Sequence, residues 1–115
     1  MPAPDELYLS RLLAFNEPDL LAELGRHVSP QMHGLDPALL AAIAQAWLRD
    51  RWETLRTATC GSAAVGGVRS ALDSDEAVVV SAVADAISSV ASGPAGAVAA
   101  VLLVRYGLDR LCRDC

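Results

Sequence analysis

Two cysteines three positions apart, Cys112 and Cys115, stand in the closing stretch LCRDC. A C-x-x-C pair can run thiol–disulfide exchange or supply two ligands to a zinc ion. Redox use places the first cysteine at a helix N-terminus, where partial positive charge stabilises the thiolate. Here the pattern puts the pair at the end of a helix, where the negative pole of the dipole disfavours a thiolate. Arg110 and Arg113 oppose that effect only from solvated positions. On a helical wheel Cys112 shares a stripe with Val101 and Leu108, so it reads as a small buried hydrophobe. Cys115 reads as a frayed residue at the chain end.

A structural zinc site needs four ligands. His27 and His33 are the two histidines of the chain, and with Cys112 and Cys115 they complete a Cys2His2 set in number. Nothing in the spacing brings the two pairs together, and an aliphatic core of this size folds without a metal. These four residues are therefore the candidate metal ligands of a chain that is read as holding no metal and no cofactor.

Other chemistries fail on residue type. GSAAVGG has the glycine spacing of a phosphate loop from Gly61 to Gly66, but Gly67 and Val68 stand where Lys and Ser/Thr are required. No Gly-x-Ser-x-Gly elbow is present. The carboxylates Asp73, Asp75 and Glu76 are explained by capping a helix. No catalytic residue is assigned, and the chain is not expected to be an enzyme.

The elements that would position any site are helical. A first helix is expected from Asp5 to Phe15, with Leu9, Leu12 and Leu13 on one face. Pro18 fits a first helical position, and Leu20, Leu24 and Val28 then repeat on one stripe until Ser29-Pro30 ends the helix. Asp36-Pro37 is an N-cap followed by proline, opening a helix to about Thr59. Its apolar arc, Leu40, Ile43, Trp47 and Leu55 among others, predicts a core face. Arg51 falls inside that arc as the misfit. It can anchor a partner's carboxylate or lay its stem on apolar surface with its head in water.

A weak helix over about 62–72 is loosened by Gly66 and Gly67. Asp73-x-x-Glu76 resembles a capping box and opens a helix to about Ser92. On it Val79, Val80, Val83, Ile87 and Val90 face one way, and Ser81, Asp85, Ser88 and Ser92 the other. After Gly93-Pro94, a last helix to Cys112 is apolar all round through Val104, which suits the centre of a bundle or a membrane. Valine-rich EAVVVSAV and AVLLV also admit strands, but the alanine content, the helical spacing and the start signals favour helix.

The bulk numbers narrow the class. With 115 residues, the chain is one domain by length and can bury a real core. Hydrophobic residues make up 53% and aromatics 4%, so that core is Ala, Val and Leu. All nine basic residues are Arg, a pattern of GC-rich, bacterial-like coding. The net charge of −5 argues against a nucleic-acid partner, whose phosphates need clustered cations.

A mean hydropathy of +0.34 raises the question of membrane contact. Gly93-Pro94 splits the apolar run 77–104 into pieces shorter than the about 20 residues that span a bilayer. Three cysteines cannot form a complete intrachain disulfide framework, and MPAPDELYLS lacks a secretory signal, so a reducing cytoplasm is expected.

The sequence thus predicts an all-α single domain over 1–115, an antiparallel bundle of five or six helices with a C-terminal apolar hairpin over about 74–112. The expected function is a non-catalytic protein–protein interaction module, a small adaptor or assembly subunit that self-associates as a homo-oligomer. Gly96, Ala100 and Gly107 form a small-residue face on the last helix and, with Arg51 and Trp52, are the candidate interface. A membrane-associated protein using 77–104 and a small metal or thiol protein are the alternatives.

Overall fold

The computed structural model describes residues 4–29, 36–70 and 75–112. Within them the chain forms α1 (Pro4–Leu13), α2 (Glu17–Val28), α3 (Pro37–Cys60), α4 (Ala63–Ser70), α5 (Glu76–Ala86), α6 (Gly93–Tyr106) and α7 (Leu108–Leu111), with no strand among the described residues. The predicted all-α bundle is present, with one helix more than the five or six expected.

Side-chain oxygens start four of the helices, Ser62 Oγ opening α4 by accepting from the Val65 amide at 3.2 Å. Asn16 Oδ1 accepts from the Asp19 amide at 2.9 Å, and Asp36 Oδ1 from the Ala38 amide at 2.8 Å, each with a proline in the first turn. Both satisfy amides that a helix leaves unbonded. At α5 the capping residue is Asp75, whose Oδ1 accepts from the Val78 amide at 3.1 Å. The expected Asp73 lies outside the described residues.

Two helices end earlier than their hydrophobic pattern. α5 stops at Ala86, and Ser88 and Val90 turn back onto the carbonyls of Asp85 and Ile87. Serines here favour local turns over continued helix, yet Ile87 stays fully buried. The last expected helix is two: Gly107 takes φ +109° between α6 and α7, a conformation that a residue with a Cβ rarely adopts.

α6 is the central helix. Val98, Ala99, Ala100, Val101 and Leu103 are all buried, which explains an apolar run on every face. Among the described residues no helix is long and apolar enough to cross a membrane. α2 lies against both α3 and α6. Gly25 meets the Leu40 backbone at one end, while Glu17 and Trp52 share a cleft at the other, so α2 and α3 run antiparallel. A Cβ on Gly25 would enter the Leu40 carbonyl, which is the physical reason for glycine inside this helix.

The core prediction on α3 divides. Leu40 and Leu55 are buried, whereas Ile43 and Trp47 are half-buried at the edge of the arc. Arg51 lays its guanidinium 4.8 Å from the Trp47 ring centroid, so the misfit cation covers an aromatic face rather than entering the core. Arg105 of α6 donates to the Leu13 carbonyl at 2.7 Å and to the Phe15 carbonyl, placing a cation at the negative end of α1.

The cysteine reading requires correction. Cys112 is disulfide-bonded to Cys60, with Cα atoms 5.6 Å apart and a sequence separation of 52. It is neither a free apolar filler nor a thiolate available to a metal. The bridge ties the end of α3 to the residue after α7. An odd count of cysteines leaves one over; it does not prevent one pair from closing. The cytoplasmic expectation therefore loses one of its two supports.

Candidate functional site

α2 forms part of two clefts of different chemistry. The first runs between α2, α3 and α6 and has a volume of about 580 Å³. Leu21, Leu48 and Leu102 supply apolar wall, and Trp52 stands edge-on to Tyr106 with ring centroids 5.1 Å apart. That perpendicular packing is favourable for aromatic quadrupoles. Arg110 covers the Tyr106 ring at 4.4 Å. Tyr106 remains 39% exposed, a large share for an aromatic ring at the wall of an apolar groove. Glu17, Arg49 and Glu53 edge this groove, so one rim carries both signs of charge.

The second cleft, of about 500 Å³, lies between α1, α2, α5 and the start of α6. Leu9, Ala84 and Ala97 give it apolar surface. Ser81, Asp85, Ser88 and Ser92 line its other part. All four are exposed, as a water-facing stripe requires, and they share this cleft with Tyr8 and His27.

Tyr8 and His27 belong to a connected polar cluster. The Tyr8 hydroxyl donates to Glu23 Oε2 at 2.7 Å and lies 2.8 Å from His27 Nε2. With its own proton given to Glu23, the hydroxyl oxygen can only accept from His27. The Nε2 atom therefore carries a proton, and in the neutral ring Nδ1 does not. Arg26 donates to Glu23 Oε1 through Nη2 at 2.9 Å and through Nε at 3.3 Å.

Burial by itself would raise the Glu23 carboxyl, but hydrogen bonds from Tyr8 and Arg26 and the charges of His27 and Arg26 outweigh it and hold the carboxyl below its ordinary value. Burial first, then the bond to Glu23 and its negative charge, push the Tyr8 hydroxyl well above the ordinary phenol range. Tyr8 is thus a fixed neutral donor, and Glu23 a fixed anion whose charge is locally answered.

The sequence-based candidates distribute as follows. His27 joins the Tyr8–Glu23 cluster, while His33 and Cys115 lie outside the described residues. Cys112 is consumed by its bond to Cys60. Among the described residues no three His, Cys, Asp or Glu side chains gather closely enough to hold a metal ion. Gly96 and Ala100 are buried inside the chain. A Cβ on Gly96 would meet the Ala91 carbonyl, so this small residue serves the turn before α6 and not an outer face. Gly107 is the break between α6 and α7. Trp52 lines the aromatic groove, and Arg51 covers Trp47 near it.

No family model, curated protein or solved structure matches the chain. Any functional reading stands on these two clefts.

Tyr8, Glu23 and Cys60 went unread in the sequence. Glu23 and His27 are four apart on one helix, a spacing that places them together, and this was a usable signal. Tyr8 joins them from another helix and left no local mark. Cys60 lies 52 positions from Cys112 and carries no local signal of their pairing.

Proposed function

We propose that this protein is a non-catalytic, self-associating interaction module whose docking surface is the aromatic groove between α2, α3 and α6. The observation that carries the reading is the mixed charge on a single aromatic rim. Glu17 and Arg49 both edge the groove, and neither has an ion-pair partner among the described residues. A two-fold interface brings the same patch face to face, so it must be complementary to itself. A rim holding one unpaired cation and one unpaired anion meets that requirement. Trp52 and the exposed Tyr106 ring are of the residue types that dominate association energetics.

No reacting group is needed for this role. The disulfide supports an oxidising compartment, where such bonds persist, over the reducing cytoplasm expected from the cysteine count.

Light scattering across a concentration series tests the association. The wild-type chain is expected to give twice the chain mass at high concentration, and Trp52→Ala the mass of one chain. Arg49→Glu and Glu17→Arg are each expected to stay monomeric, because each gives the two unpaired rim positions the same sign. Mixing the two variants should restore a dimer, since every pair across the axis then has opposite charges. A single-chain mass for the wild type from micromolar to millimolar concentration, or no recovery on mixing, overturns the reading.

A further inference from the structure

We infer that the second cleft is a binding site for a small organic amine, with its ammonium group on Asp85 and its apolar body against Leu9, Ala84 and Ala97. The volume of about 500 Å³ falls within the range of small-molecule sites, roughly 300–1,000 Å³, and mostly apolar walls with a few polar groups are their usual lining.

Charge selects the class of ligand. Asp85 is exposed and has no hydrogen-bond or ion-pair partner for its side chain among the described residues. Glu23, the nearby second carboxylate behind Tyr8 and His27, is already answered by Arg26 and the Tyr8 hydroxyl. The N-terminus of α6 also borders the cleft through Gly93 and Pro94. Its partial charge of about +0.5 is half of what one carboxylate carries, and it fades within a turn. The field in the cleft therefore stays negative and favours a cation.

Hydrogen-bonding geometry narrows the class further. An ammonium offers three donors. Ser81 lies four residues before Asp85 on α5, which puts its hydroxyl on the same face as an acceptor, and Ser88, in the turn after α5, lines the same cleft. His27 and Tyr8 stand at the opposite wall. The body of the ligand must be apolar, because between these groups the surface is alanine and leucine.

The test is a set of three probes of matched shape titrated into the full chain and followed by amide chemical shifts: phenethylammonium, 2-phenylethanol and 3-phenylpropanoate. The ammonium is expected to saturate, with shifts at residues of α5, the start of α6 and His27. The alcohol should bind about tenfold or more weakly, as expected for loss of a charge-assisted bond, and the carboxylate more weakly still.

Asp85→Asn should abolish the preference for ammonium over alcohol while leaving the melting temperature unchanged, since the side chain makes no bond among the described residues. Ser88→Ala should reduce that preference in part. Equal affinity for the three probes, preference for the carboxylate, absence of saturation with phenethylammonium, or a preference that survives Asp85→Asn each overturn the assignment. None of these results depends on whether the aromatic groove dimerises.

Discussion

The two clefts share the wall formed by α2, yet they differ in how their charges are balanced. Around the aromatic groove, cations cover rings: Arg110 sits on Tyr106, and on the same helix as Trp52 Arg51 sits on Trp47. Around the serine cleft, one carboxylate is locked into a cluster and another stands alone. An aromatic rim with both signs is suited to a surface like itself, and a lone anion above an apolar floor is suited to a small cation. Glu17 and Leu21 near the start of α2 face the first, and His27 at its end faces the second. A single helix can therefore present two unrelated chemistries because its ends lie against different neighbours.

The largest expected effect separates the clefts. Cys112→Ser removes a cross-link spanning 52 positions and should lower stability by about 2–4 kcal/mol, measured by chemical denaturation. The bond anchors the segment carrying Arg110, and neither of its cysteines lines the serine cleft. At denaturant-free conditions, where the variant stays folded, phenethylammonium affinity should match wild type. An equal loss at both clefts would show that they are mechanically one unit.

A smaller effect should join them. Gly25→Ala forces a methyl group into the Leu40 backbone and should cost about 1–3 kcal/mol, as overpacking does. Because α2 is the common wall, its displacement should weaken both the dimer and amine binding. A variant as stable as wild type would mean that α2 and α3 can separate without cost.

The smallest effect belongs to the serine side alone. Glu23 has its folded-state carboxyl below the ordinary value of 4.5. Its contribution to stability is therefore complete above that value and is lost as pH falls through the lower folded value. Stability curves of wild type and Glu23→Gln should differ at neutral pH and converge in acid, with wild type the more stable at neutral pH. Dimerisation should be unchanged. A gap that persists at the acid end would locate the effect of the substitution in packing rather than charge.

Much of the fold was legible because its signals are local. Pro18, Asp36-Pro37 and the acidic residues near Glu76 mark helix starts within a few positions, and the leucine spacing of α2 marks a buried face, whereas the Asn16 cap of α2 is seen only in the structure. Breaks were less legible. Gly107 lies in a run whose hydrophobicity continues past it, so only the positive φ reveals two helices. Trp47 belongs to the apolar arc by angle but sits where the arc meets solvent, and angle alone does not say how wide the covering neighbours are.

The candidate site was less legible than the fold. Ser81, Asp85, Ser88 and Ser92 were recognised as one stripe. That α1 and α2 come to face it depends on contacts between distant parts of the chain. Trp52 was singled out from its type, whereas the small residues Gly96 and Ala100 are taken up by internal packing. The pairing of Cys60 with Cys112 could not be told from any other choice among three cysteines.

The disulfide also makes the chain a closed ring with a tail. Residues 60 to 112 form the ring, which carries α4, α5, α6 and α7. The tail comprises α1, α2 and nearly all of α3, attached through one covalent junction. A protease cut inside the ring leaves both pieces in one molecule until a reductant is added, whereas a cut in the tail releases a fragment once the helices part. Gels run with and without reductant would therefore report which half of the molecule opens first.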